Sequence, residues 1–118
     1  MGIGEIEEFL ERRGFETTYV DRERGVVQFI KSEWKKKLKE PLAWYISAIK
    51  CENGKCTATL NKVLFYPNDV TEIYIPDEVE VDRIHAFVDW KDKNFRIGAR
   101  LHFKQEKAKE VLEDFFLA

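Results

Sequence analysis

Hydrophobic and polar residues alternate along two neighbouring runs near the C-terminal end of the chain. Ile84, Ala86, Val88 and Trp90 alternate with Arg83, His85, Phe87 and Asp89. Phe95, Ile97, Ala99, Leu101 and Phe103 then alternate with Arg96, Gly98, Arg100 and His102. A period of two is that of a strand with one buried and one wet face. Folded about Asp92-Lys93, both runs share one register: Trp90 faces Phe95, Val88 faces Ile97, Ala86 faces Ala99 and Ile84 faces Leu101. The other face then sets Asp89 against Arg96, Phe87 against Gly98 and His85 against Arg100. A slip of one residue would mix the faces, so the pattern specifies a hairpin over 79–103.

The rest of the chain reads in the same way. Ile3, Ile6, Phe9 and Leu10 recur at helical spacing opposite Glu5, Glu7, Glu8 and Glu11, and Gly14 suits a left-handed cap. Phe15 to Val20 and Val26 to Ile30 predict strands joined by a polar loop, with Gly25 free to take positive φ. Ser32 is expected to cap a short basic helix from Glu33 to Glu40, anchored by Trp34 and Leu38 and stopped by Pro41. Strands are predicted from Leu42 to Glu52 and Lys55 to Tyr66, with Trp44 opposite Val63, Leu42 opposite Phe65, Ile49 opposite Ala58 and Ser47 opposite Leu60. Apolar residues on both faces of this pair place it centrally, covered on both sides at one end. Pro67-Asn68-Asp69 turns the chain, and Val70 to Ile75 reads as a short edge strand ended by Pro76. Lys104 to Ala118 predicts a last helix with Ala108, Val111, Leu112 and Phe115 on one stripe.

Short connections between these elements imply a single α+β domain over 1–118. Its sheet is expected to be largely antiparallel with about six or seven strands, beside an N-terminal, a short basic and a C-terminal helix. Composition adds three points. The chain of 118 residues is 44% hydrophobic and 14% aromatic, which excludes a disordered tail. Its 36% charged residues, rich in Lys and Glu, match proteins working at high temperature and suggest a thermophilic archaeon or its virus. A net charge of −2 and pI near 5.8 argue against a general nucleic-acid coat protein. No apolar run reaches membrane-span length and no leader pattern opens the chain, so a cytoplasmic location is expected, with no membrane partner.

The two cysteines lie in Cys51-Glu52-Asn53-Gly54-Lys55-Cys56. Asn-Gly is a strong two-residue hairpin signal because both central positions need positive φ. Glu52 then pairs with Lys55, and Cys51 meets Cys56 at a non-hydrogen-bonded position within disulfide range. A bridge and two free thiols both remain open, and neither histidine is near enough in sequence to suggest a metal site.

Gly-rich phosphate loops, nucleophile elbows and zinc motifs are absent, and no metal or cofactor is implied. His85 and His102 sit diagonally on one face in the predicted register. They raise a histidine-dependent nuclease as a minor reading, although no carboxylate is placed to orient either ring. On the same face Arg83, His85, Arg96, Arg100 and His102 surround Phe87, left uncovered by Gly98. A basic face around a bare ring suits single-stranded DNA or RNA, and Lys35, Lys36 and Lys37 of the basic helix would extend the path.

At the C-terminus, Lys109-Glu110-Val111-Leu112-Glu113-Asp114-Phe115-Phe116 resembles the PCNA-interacting peptide of replication and repair proteins. Leu112, Phe115 and Phe116 fall at the aliphatic and aromatic places, while Lys109 stands where that motif has glutamine. The resemblance implies a sliding clamp as partner, its pocket filled by one aliphatic and two aromatic side chains. The same residues also suit a packed helix, with only Phe116 surplus to one stripe. The sequence therefore points to a small non-enzymatic binding protein, an accessory in nucleic-acid metabolism acting through its basic sheet face. The alternative is a structural or adaptor protein that homodimerises through a sheet edge or the C-terminal helix.

Overall fold

A computed structural model of the chain describes residues 2–39, 41–65, 69, 72–91 and 93–117. Six strands form one antiparallel sheet: β1 (Phe15–Asp21), β2 (Val26–Lys31), β3 (Ser47–Glu52), β4 (Lys55–Phe65), β5 (Glu80–Asp89) and β6 (Asn94–Lys104). Their spatial order is β1-β2-β3-β4-β6-β5. Three helices accompany them, α1 (Ile3–Arg12), α2 (Ser32–Lys37) and α3 (Ala108–Leu117). The expected α+β architecture is thus observed, with β5 at one edge and β1 at the other.

β6 pairs antiparallel with both β4 and β5, so β4 and β5 run in the same direction. Parallel strands cannot be joined by a tight turn, and the chain must cross the sheet between them. That return uses the segment expected to be an edge strand: residues 72–75 pair with no strand. Ile73, Ile75 and Val79 instead pack against the core, and Pro76 is buried. Lys62 Nζ donates to the Glu72 carbonyl at 2.9 Å and holds the crossing in place. Val70 and Thr71 of the expected strand, Tyr66 and the turn at 67–68 lie outside the described residues, as do Glu40, Asp92 and Ala118.

The core is the helix-side face of the sheet. Val27, Ile49, Ala58, Leu60, Ala99 and Leu101 are fully buried there, beneath Ile6 and Leu10 of α1 and Val111, Leu112 and Phe115 of α3. A run from Leu60 to Leu64 in β4 is buried on both faces, as the mixed pattern predicts for a central strand covered at one end. Its cover on the open side comes from residues 38–46, which supply Leu38, Leu42 and Ile46.

That cover is not the strand expected from Leu42. Leu42–Tyr45 is one turn of 3-10 helix, and β3 begins at Ser47. Asn61 explains the departure. Its backbone N–H donates to Ser47 Oγ at 2.8 Å and its side-chain Nδ2 to the Ile46 carbonyl at 2.9 Å. These bonds replace ladder pairing, so the expected Trp44–Val63 and Leu42–Phe65 pairs do not form. Where β3 and β4 do pair, the expected register holds, with Ile49 opposite Ala58 and Cys51 opposite Cys56. α2 is also shorter than expected. Ser32 is its first residue rather than its cap, and the Leu38 N–H closes it on the Trp34 carbonyl at 2.9 Å.

Cys51 and Cys56 form a disulfide with Cα atoms 4.1 Å apart. The Cys51 N–H points the other way, to the Gly25 carbonyl at 2.8 Å, as a non-hydrogen-bonded pairing with Cys56 requires. Gly25 has φ +69°, and a β-carbon there would collide with the Cys51 carbonyl, so this loop needs glycine twice over.

The main hairpin forms, but two residues out of the expected register. Val88 faces Phe95, Ala86 faces Ile97, Ile84 faces Ala99, Phe87 faces Arg96 and His85 faces Gly98. Asp89 pairs with Asn94, so four residues connect the strands instead of a two-residue turn. A two-residue turn of the primed type needs positive φ at both centres, which Asp92-Lys93 without glycine supports poorly. The longer loop places Lys93 at φ +52°, and Asp89 Oδ1 accepts the Lys91 N–H at 3.0 Å. A shift of two leaves every side chain on its expected face, so alternation alone cannot detect it.

Candidate nucleic-acid interface

The helix-free face of β6 and β5 carries all six residues singled out on the hairpin. Arg83, Phe87 and His85 lie against Arg100, Arg96 and Gly98, with His102 beyond. The corrected register changes what each one does. Phe87 is not bare opposite a glycine: the Arg96 guanidinium lies over its ring, 4.5 Å from the centroid, and the His85 ring meets it edge-on at 5.0 Å. It is nevertheless 55% exposed. His85 fills the space over Gly98, where a β-carbon would press on its ring and on Asn61 Oδ1. Asn61 Oδ1 accepts from Arg96 Nη1 at 2.9 Å, which fixes the guanidinium plane. Partial burial holds Arg96 below the ordinary arginine value and the nearby Tyr45 works against that.

The two histidines do not meet. His85 faces Gly98, four residues along β6 from His102, or about 14 Å at ~3.4 Å per residue. A carboxylate does orient one of them, contrary to expectation. Asp82, the extra residue of a bulge between Val81 and Arg83, reaches His102 Nε2 at 3.4 Å and Arg100 Nε at 3.5 Å. On the other side of the ring, Thr57 Oγ1 lies 3.0 Å from His102 Nδ1. This Asp–His–Thr chain holds the ring in place. Thr57 sits in a strand paired on both sides, to Lys50 and to His102. Among the described residues no three His, Cys, Asp or Glu side chains converge as a metal site.

Asp82 therefore partly neutralises Arg100 and also contacts His102, and the open part of the face is its other end. There Trp44 and Tyr45 of the 3-10 turn stand opposite Phe87, Val88, Asp89 and Trp90, with Asn94 and Arg96 as floor, around a groove of about 650 Å³. Trp44 is 57% and Trp90 87% exposed. Sequence reasoning missed these rings as site residues: Trp44 was expected within a strand and Trp90 on the buried face opposite Phe95. The signals were Pro41 just before Trp44, and the lack of glycine in the Trp90 turn.

The basic helix reaches the groove's margin. Lys37 Nζ lies 4.9 Å from the centroid of Phe65, whose register partner is the floor residue Asn94. Lys35 is held by Glu16 at 3.0 Å and Lys36 is exposed. The C-terminal residues lie elsewhere. Leu112, Phe115 and Phe116 are all buried, and Phe116 packs against Phe15, Phe29 and Trp34 at centroid distances of 4.9, 5.9 and 6.4 Å. Its surplus position on the helix stripe is taken up by α2 and β1, and engaging a clamp would require α3 to leave the core. Among the described residues no helix is long and apolar enough to cross a membrane. Comparisons with protein-family models, curated proteins and solved structures found no match for this chain.

Proposed function

We propose that the protein acts by binding rather than catalysis, and that its ligand is single-stranded nucleic acid held in the groove between Trp44 and Trp90. The observation that carries this reading is that two largely exposed indole rings, Trp44 and Trp90, line the same groove as the fixed Arg96 guanidinium. Aromatic platforms beside a cation accept any base by stacking, while cations hold the phosphates. Arg96 in the groove, Lys37 at its margin and Lys91 next to Trp90 in the chain supply that field despite the acidic net charge of the whole chain.

The test is a titration of labelled single-stranded DNA and RNA oligonucleotides over a salt series. Binding should weaken steeply as salt rises. Trp44→Ala and Trp90→Ala should each cost about 1–3 kcal/mol of affinity, and both sites lie outside the core. Salt-independent binding, or unchanged affinity in both folded variants, would retire the reading.

A further inference from the structure

β5 is the last strand of the sheet, so among the described residues no strand lies beside its outer row of backbone N–H and C=O groups. Natural edges are blunted by shortness, proline, lysine or mid-strand bulges. The opposite edge follows that rule, with a bulge between Thr17 and Tyr19 in β1. β5 follows it only at its ends: it is 10 residues long, its single bulge at Val81/Arg83 leaves Arg83 to Asp89 regular, and no Asp, Glu, Lys or Arg lies from Ile84 to Val88. It also exposes apolar side chains on both faces, including Ile84 at 52%, Phe87 at 55% and Val88 at 54%.

The order of residues in this strand is complementary to itself. Laid antiparallel on a second copy about Ala86, the segment sets Arg83 opposite Asp89, Ile84 opposite Val88 and His85 opposite Phe87. Both charge pairs are of opposite sign, and every apolar residue of the helix-side face meets another. A two-residue slip either way would oppose Arg83 to Phe87 or to Lys91 and lose that match. An even register also keeps like faces together, as a twofold axis normal to the sheet demands.

We propose that the protein forms a homodimer by antiparallel pairing of β5 with β5 of a second copy, centred on Ala86, giving one continuous twelve-stranded sheet. Ile84 of each copy then covers Val88 of the other, beside the apolar groove lined by Ala86, Val88, Trp90 and Phe95. The two indole grooves stay open on the helix-free face, and each gains the other copy's Arg83 next to its own Asp89. A single strand pair is a small interface, at the low end of the range that starts at about 1,200 Å² for stable complexes, so weak, concentration-dependent association is expected. The pairing is independent of whether nucleic acid binds.

Sedimentation of the purified full chain without nucleic acid, from low micromolar to several hundred micromolar, tests it. The mass should rise to twice the 14.0 kDa of the chain. Arg83→Asp and Asp89→Arg should each weaken self-association roughly tenfold or more by opposing like charges at two places. An equal mixture of the two variants should associate again, because each chain then restores the other's charge pairs. A second measurement tolerates a loosened turn in the Asp89 variant. Ala86→Cys lies on the axis opposite its own copy and should cross-link under mild oxidation, while Ile84→Cys, opposite Val88, should not. A wild-type chain that stays monomeric, single variants that dimerise like wild type, a mixture that stays monomeric, or equal cross-linking at both positions would each overturn the proposal.

Discussion

The imidazole of His85 lies across the strand pair from Gly98 and occupies the space that a β-carbon there would need, with Cε1 2.9 Å from that point. This contact ties the hairpin's register to the groove, because Asn61 Oδ1, which holds Arg96, is the next atom that a β-carbon would press, at 3.1 Å. Gly98→Ala should therefore destabilise the fold by about 1–3 kcal/mol, the usual cost of overpacking. Removing the ring as well, in His85→Ala with Gly98→Ala, should recover most of that loss. Chemical denaturation of the four proteins of this cycle reads the coupling. Purely additive effects would mean that the ring and the glycine do not share the site.

The short disulfide closes a loop between residues five apart in sequence. In the chain-entropy account such a small loop contributes about 2 kcal/mol, and a hairpin already favoured by Asn-Gly should realise less than that. Cys51→Ala with Cys56→Ala should thus fold normally and melt only modestly lower. Addition of a thiol reductant should lower the melting temperature of the wild type and leave the double variant unchanged. Two reactive thiols counted in unreduced, denatured protein would contradict the bridge.

Phe116 is only 6% exposed among Phe15, Phe29, Trp34 and Phe115, and its loss opens a cavity where four elements meet. Phe116→Ala should cost about 3–5 kcal/mol, against a whole stability of about 5–15 kcal/mol for a domain. Truncation after Lys109 removes Leu112 and Phe115 too and should prevent folding at moderate temperature. Circular dichroism melting distinguishes this from a freely hanging C-terminal peptide, whose removal would leave the melting temperature where it was.

Lys62 is 6% exposed on the helix-side face, and its pKa lies below the ordinary 10.5 because burial disfavours the cation, Lys31 adds repulsion, and Asp69 and Glu72 oppose both. A lysine with a lowered folded pKa binds fewer protons folded than unfolded, so raising pH through the folded value stabilises the fold. The gain is complete once pH passes the unfolded value of about 10.4. Lys62→Met lacks this dependence. The wild type should gain stability relative to Lys62→Met as pH climbs on the alkaline side, and a difference that stays flat with pH would refute the assignment.

Much of this architecture is written in local patterns. Alternation placed Arg83, His85, Phe87, Arg96, Arg100 and His102 on one face correctly, because a strand's side-chain period is two whatever its partner. Asn53-Gly54 brought Cys51 to Cys56 in the right register, because only one turn geometry suits that dipeptide. The helical spacings that bury Ile6, Leu10, Val111 and Phe115 were equally plain.

Tertiary structure decided the rest. A two-residue slip keeps every face intact, so the pairing of His85 with Gly98 depended on a loop without glycine and on the room that Gly98 leaves. Alternation does not say where a strand ends, and Trp90 is 87% exposed because it falls in the loop beyond Asp89, the last residue of β5. Trp44 left its expected strand because Asn61 bonded Ser47 and the Ile46 carbonyl instead. Phe116, outside its helix's own stripe, found its place only when Phe15 and Trp34 came to it from distant parts of the chain. Each of these outcomes rests on contacts between segments far apart in sequence, and local periodicity carries no information about such contacts.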